Sequence, residues 1–266
     1  MKFFKDENAV SEVIGVMIIL MVLVLYLGTI QAYEVPKWNT ELEIRQFDIA
    51  YSDFINLRSN LEDVSAKNIP KTNSIHMGVR YPLRYMLYNP GPGAAGTITM
   101  YPVNITVDLK FLEGNSSTRN YSSRGIVYRL DGQSSFPDII YEHGIIIRNF
   151  GKTNITDDQQ SLLINNEIFI PVINWSMGPG SSMETISLNL KPYSTATSSN
   201  VTNLNITMDT EYPAVWSELL NGTNATVSDN KININISFSS HNITLPIIDA
   251  TGEPIYTNMI MSDDRR

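Results

Sequence analysis

Between Val13 and Ala32 the chain carries no charged side chain. That run of about 20 residues makes a helix of roughly 30 Å, the thickness of a bilayer's hydrocarbon core. It is longer and more evenly apolar than the core of an ordinary signal peptide, and Ile30 ahead of Ala32 does not give an A-x-A cleavage pattern. A membrane-spanning helix is therefore expected over residues 10–35. A short charged leader precedes it, with Lys2, Lys5, Asp6 and Glu7. Glu12 sits just inside the N-terminal edge of the span, where a lone carboxylate is costly and asks for a reason.

Pro36 removes a backbone donor and restricts Val35, so it is expected to end or kink the first helix. Thr40-Glu41-Leu42-Glu43 reads as a capping box opening a second helix. Ile44, Phe47, Tyr51, Phe54, Leu57, Leu61 and Val64 recur at spacings of three and four, one apolar face of an amphipathic helix over about 37–66. Asn68-Ile69-Pro70 ends it. Its aromatic-rich stripe favours packing on a sheet over a free stalk or a coiled coil.

After Pro70 the apolar period drops from 3.6 to 2. Ile98 to Leu109, Ile186 to Leu190 and Lys231 to Phe238 alternate as half-buried strands do. Further strands are expected near 83–88, 125–130, 138–148, 161–173, 201–208 and 241–248. Turn clusters separate them at Asn89-Pro90-Gly91-Pro92-Gly93, Gly114-Asn115-Ser116-Ser117 and Gly178-Pro179-Gly180-Ser181. A helical patch from Pro213 to Leu220 interrupts the series. The fold class is α+β: two N-terminal helices, then a mainly antiparallel β-sandwich over 67–266.

Chemistry is sparse. With a net charge of −8 and a pI near 4.9 there is no basic footprint, so nucleic acid is not an expected partner. The absence of cysteine excludes thiol catalysis, cysteine-ligated metals, disulfides and a lipoprotein anchor. His76, His143 and His241 are scattered, none at ligand spacing, and read as ordinary surface or strand histidines. Gly91 to Gly96 lacks the Lys-Ser/Thr of a phosphate loop and reads as a turn. Asp157-Asp158 and Asp263-Asp264 are adjacent acids, which do not make an acid–base pair across a cleft. Glu142-His143 has no nucleophile nearby in sequence. No cofactor and no catalytic or metal-binding residue is expected.

One pattern is enriched. N-x-S/T sequons occur at Asn104, Asn115, Asn120, Asn154, Asn174, Asn200, Asn205, Asn221, Asn224, Asn235 and Asn242. The Asn and Ser/Thr content would give roughly four by chance. The Asn-Ile-Thr sequons suit an alternating strand with Asn and Thr outward. Those at Asn115, Asn120, Asn221 and Asn224 fall in turn-like segments and have no such explanation. Glycosylation of an exported domain is the expectation they raise.

Ala9-Val10-Ser11-Glu12-Val13-Ile14-Gly15-Val16, with the aliphatic run behind it, resembles the N-terminal segment of archaeal type IV pilins and pilin-like surface proteins, although that family usually has Pro where this chain has Glu12. The resemblance implies a class III signal leader over 1–9, cut by a prepilin-type peptidase on the cytoplasmic side at Asn8, Ala9 or Val10. A cut after Ala9 leaves Val10 first, and a cut after Glu7 places Glu12 fifth. After such a cut the free α-amine of a neighbouring subunit could neutralise Glu12 and give it a role in assembly; the alternative is a Glu12 solvated at headgroup level. The expected partners are membrane lipid, the peptidase, other pilin subunits and the pilus assembly machinery, with the head outside the cell. A weaker resemblance, through Gly78-Val79-Arg80-Tyr81-Pro82 and the Asn89–Gly93 loop, is to uncharacterised archaeal proteins with the same anchor. A plain signal anchor, a surface-binding domain that never polymerises and an anchored surface hydrolase are the alternatives.

Overall fold

The computed structural model describes residues 7–156, 163–164, 167–168, 172–176, 178–221, 223 and 225–254. Helix α1, Glu7–Thr29, continues through a π-helical turn, Ile30–Glu34, into α2, Val35–Lys67. The expected break at Pro36 is absent. Val35 donates its N–H to the carbonyl of Ile30, five residues back instead of four. The widened turn delivers Pro36 into the first turn of α2, where its missing N–H removes no helical bond. Thr40 consequently lies inside the helix and caps nothing; its Oγ1 is 3.1 Å from Ser134 Oγ. At the far end Asn68 adopts φ 54° and donates to Val64 O at 2.9 Å, the left-handed stop that Asn68-Ile69-Pro70 suggests.

The apolar stripe of α2 is correct in its second half and displaced in its first. Phe54, Leu57, Leu61 and Val64 are fully buried, but Ile44 is exposed and Phe47 and Tyr51 lie at the margin of the core. Between buried Val35 and Ala50 the face turned inward is polar: Asn39, Glu43 and Gln46.

The strands follow in order: β1 Lys71–His76, β2 Val79–Arg80, β3 Gly93–Phe111, β4 Ser116–Asp131, β5 Asp138–Glu142, β6 Ile145–Asn149, β7 Asn154–Ile155, β8 Leu163–Ile164, β9 Glu167–Ile168, β10 Val172–Trp175, β11 Gly180–Ser182 and β12 Thr185–Asp209. Helix α3, Pro213–Leu219, then β13, Ala225–Ser228, and β14, Lys231–Pro254, complete the described chain. One 12-stranded sheet runs β10-β14-β12-β3-β4-β5-β6-β7, with β1 also on β12, β2 and β11 on β3, and β13 on β14. Its pairs are antiparallel except β10 with β14. The α+β, sheet-rich architecture is thus as expected.

Four long strands carry the fold. β12 and β14 stay paired from Ile186 and Pro254 to Asp209 and Lys231. A bulge between Ser198 and Asn203 divides β12. Before it β12 pairs with β1, and after it with β3. Two cores result. The first lies against α2 and includes Phe54, Leu57, Ile75, Tyr128, Leu188 and Leu190. The second lies against α3 and includes Ile105, Leu204, Ile206, Trp216, Ile232 and Ile234. β5 and β6 serve both: Ile139, Tyr141 and Ile146 face the first, Ile140, Ile145 and Ile147 the second. Burial on both faces explains why this stretch is almost continuously apolar.

Two sequence expectations change here. Residues 83–88 form no strand; they lie in a loop between β2 and β3, turned at Met86 with φ 62°. Gly93–Gly96 are not turn residues but open β3. A Cβ on Gly96 would meet Met77 O at 1.7 Å, so that glycine is required by the close approach of another backbone. Of the 161–173 expectation only β8, β9 and the start of β10 fall among the described residues. The pairs Asp157-Asp158 and Asp263-Asp264 lie outside them.

Candidate functional site

Asn8, Ala9, Val10 and Glu12 lie in α1, and their side chains are outside the described structure. From Val13 onward the helix is bare. Met17, Ile19 and Leu25 are 64–68% exposed, and no described residue of the head covers them. Residues Val13–Lys67 form one helix whose apolar part is long and apolar enough to cross a membrane. It divides into an inner part, Val13–Thr29, that the described residues leave uncovered and an outer part wedged into the head.

The wedge is held by polar side chains. Glu43 is fully buried and accepts from the Tyr81 hydroxyl, from Gln133 N–H at 2.8 Å and from Ser134 N–H at 3.0 Å. Burial, reinforced by the Glu43 charge, pushes the Tyr81 phenol well above its ordinary range. Gln46 Nε2 donates to His76 O at 2.7 Å. Asp53 Oδ2 accepts from His76 N–H, with His76 Nδ1 also 2.8 Å away. Arg84 donates to Asn39 Oδ1 at 2.8 Å and stacks over Trp38. Each contact joins α2 to a loop or strand end, so together they fix the head's angle about the helix.

A second buried carboxylate joins the other core. The β5–β6 hairpin turns through His143 and Gly144, both at positive φ, as a two-residue hairpin of the primed type requires. The turn leaves Glu142 fully buried beneath it. Glu142 Oε1 accepts from Trp216 Nε1 at 2.7 Å and from the Thr210 hydroxyl. Its Oε2 accepts from the Tyr101 hydroxyl at 2.5 Å and from Glu211 N–H at 3.3 Å. His143 is buried as well, a correction to its reading as an ordinary surface or strand histidine; its Nε2 lies 2.8 Å from Asp209 O. The Glu142–His143 couple faces hydrogen-bond donors and aromatic rings, and the hydroxyls of Thr210 and Tyr101 donate to the carboxylate. It is built to hold α3, β3 and the end of β12 together.

The sequon asparagines spread over the outer surface of the head; Asn120, expected in a turn-like segment, lies instead within β4 opposite Thr106. Asn104, Asn115, Asn120, Asn154, Asn174, Asn200, Asn221 and Asn235 are exposed, and Asn205 is half-buried. The side chain of Asn242 and all of Asn224 lie outside the described structure. Asn205 and Asn235 line a shallow groove of about 380 Å³ across β3, β4, β12 and β14, with Asp108, Lys110, Thr118 and Asn203. Its polar groups bond to one another: Thr118 to Asp108 at 2.6 Å and Asn203 to Asn235 at 3.3 Å. A second recess, about 340 Å³, follows the turn from Arg129 to Phe136. Among the described residues no three His, Asp or Glu side chains group as metal ligands do.

Sequence reading missed Glu43 and Glu142 as anchoring points. Glu142 ends an almost continuously apolar stretch, a local signal, whereas Glu43 stands beside exposed Ile44 and Arg45 and had none.

No family model matches the chain, and no solved structure does. An uncharacterised protein of the archaeon Archaeoglobus fulgidus is 27% identical over 218 residues, which cover 76% of this chain. They cover 36% of that protein, so the present chain spans about a third of the length of the relative it matches.

Proposed function

We propose that this chain is a membrane-anchored, type IV pilin-like surface protein of an archaeon, a structural, adhesive or accessory subunit with its head outside the cell. One observation carries the reading. The segment Ala9–Val16 that resembles archaeal pilins opens a single helix whose inner half is bare and whose outer half is locked to a β-rich head. A bare apolar half-helix needs lipid or neighbouring helices to cover it, and a subunit that leaves the membrane for a filament exchanges one for the other. In this reading a prepilin-type peptidase cuts at Asn8, Ala9 or Val10, and Glu12 then pairs with the new α-amine of a neighbour. The outward-facing sequons suit the same exterior, where glycans would shield a head that has no disulfide.

Mass spectrometry of the mature N-terminus, from membranes and from any sheared filaments, tests this. It should begin between Asn8 and Val10. A terminus at Met1, or beyond Ala32, would remove the pilin reading. Glu12→Ala should insert into membranes and fail to assemble; incorporation at the parental level would remove the pairing role. The polar groove at Asn203, Asn205 and Asn235 favours one alternative, an anchored surface-binding domain that does not polymerise. A properly cleaved protein found only in membranes would select it.

A further inference from the structure

The loop between β2 and β3 hangs from the head down the side of the helix. Its first rung is Tyr81, bonded to Glu43. Arg84 is next, held by Asn39 and stacked on Trp38. The lowest is Tyr88, whose backbone N–H and C=O both bond to the side-chain amide of Gln31, at 2.8 and 2.7 Å. From Glu43 to Gln31 is a descent of about 18 Å along the axis. Asn89 closes the loop on itself, donating to Pro82 O and accepting from Arg84, each at 2.8 Å.

Gln31 belongs to the uncharged run that begins at Val13, about 27 Å further down the helix. The loop therefore reaches the level at which the helix would leave the hydrocarbon. What it carries there is apolar and aromatic and touches little else in the chain. Leu83 is 100% exposed, Tyr85 92%, Met86 80% and Tyr88 73%. At the same height on the helix Tyr33 is exposed, and higher up Trp38 lies under Arg84. In water such a cluster would be a liability. Tyr and Trp collect at the membrane–water boundary, where a ring with an apolar body and a polar edge is at ease, and an Arg among them can reach phosphate.

We infer that the Pro82–Asn89 loop is a second membrane contact, seated in the outer headgroup and upper acyl region of the same bilayer that holds α1. This rests on the anchor reading of α1. The head is then braced at two points, the helix and the loop beside it, and cannot swing freely about a single stem.

The natural absence of cysteine makes the test direct. Single cysteines replace Leu83, Tyr85, Leu112 or Val22 in the full chain, and each receives a nitroxide label. Leu112 is 65% exposed on the β3–β4 turn and serves as the water reference; Val22 lies within the bare helix. The proteins are placed in phosphatidylcholine–phosphatidylglycerol vesicles, and collision rates with oxygen and with a water-soluble nickel chelate are compared. At Leu83→Cys and Tyr85→Cys the nickel rate should fall several-fold below that at Leu112→Cys while oxygen access stays high. Nickel access at Leu83→Cys equal to that at Leu112→Cys, with Val22→Cys protected, would put the loop in water and overturn the inference while leaving the anchor intact. Low access to both probes would mean that protein, such as a second copy, covers the loop, and would also overturn it. A Val22→Cys label open to nickel would defeat the anchor reading, and the loop's role with it.

Discussion

Replacing Glu142 by Gln changes almost no volume and tests how its cradle works. Trp216 Nε1 and Glu211 N–H can only donate, whereas the Tyr101 and Thr210 hydroxyls can turn and accept. The Gln amide therefore keeps its oxygen toward Trp216, at 2.7 Å in the parent, and turns its nitrogen toward Tyr101 and Glu211. The Glu211 N–H loses its acceptor; because that bond is long, the loss costs about 1 kcal/mol. The other three bonds fall from charge-assisted to neutral strength, about 1 kcal/mol each. Glu142→Gln should cost about 3–4 kcal/mol, out of a total stability of roughly 5–15. For a chain of this size that lowers the melting temperature by roughly 10 °C. Glu142→Ala should cost more, since it strands buried donors. Denaturant titration of the full chain in detergent, followed by tryptophan fluorescence and near-ultraviolet circular dichroism, measures both, with Trp216 reporting from the site itself. A Gln variant within about 0.5 kcal/mol of the parent would show that no charged acceptor is needed there, and would refute the reasoning.

Phe54, fully buried with its ring 6.0 Å from that of Tyr128, should cost about 3–5 kcal/mol as Phe54→Ala in the same assay; an unchanged midpoint would mean that α2 is not wedged into the head. The ammonium groups of Lys67 and Lys71 hold the Asp63 carboxyl at about 2, below its usual 3.8. A depressed acid adds stability above its usual value and loses it as pH falls toward 2, so an NMR titration should place the Asp63 midpoint near 2 and Lys71→Ala should raise it. Burial first, then the Glu211 and Glu142 charges, pushes the Tyr212 phenol up to about 12 from its usual 10. Its contribution is complete below pH 10 and lost as pH rises through about 12, so Tyr212→Phe should remove one late phase from an absorbance titration; an unchanged profile would contradict its burial.

What the sequence disclosed and what it hid divide along a physical line. Ile232 and Ile234, or Leu188 and Leu190, announce their buried face because alternation is local and each strand has one wet side. The same holds for Phe54 through Val64, where helical spacing and apolar chemistry agree. Asn39, Glu43 and Gln46 are inward only because backbone groups of residues 76, 133 and 134 and the side chains of Tyr81 and Arg84 come to meet them, and no periodicity can announce a partner so far along the chain. Glu142 is the extreme instance, with its donors at residues 101, 210, 211 and 216. Residues 83–88 looked like a strand by composition, yet they are turned at Met86 and tethered by Gln31 and Asn39, which belong to a helix. The proposed processing residues Asn8, Ala9 and Val10 rest on resemblance alone, because a cleavage signal is a message to a peptidase and leaves no periodicity in the fold.

The π turn at Ile30–Glu34 has a geometrical effect out of proportion to its five residues. Each residue of an α-helix advances about 100° around the axis, and a π turn absorbs one residue more than an α turn does. Everything beyond it, from Val35 through the head, is thereby rotated by about that angle relative to the bare half below. The turn acts as an indexing joint: it decides which flank of the apolar rod lies beneath which flank of the head, and its own Gln31 holds the lowest rung of the Pro82–Asn89 loop. Removing one residue from Ile30–Glu34 would restore the plain helical advance and swing the head by more than a quarter turn. Any neighbour gripping the rod would then meet a different side of the protein.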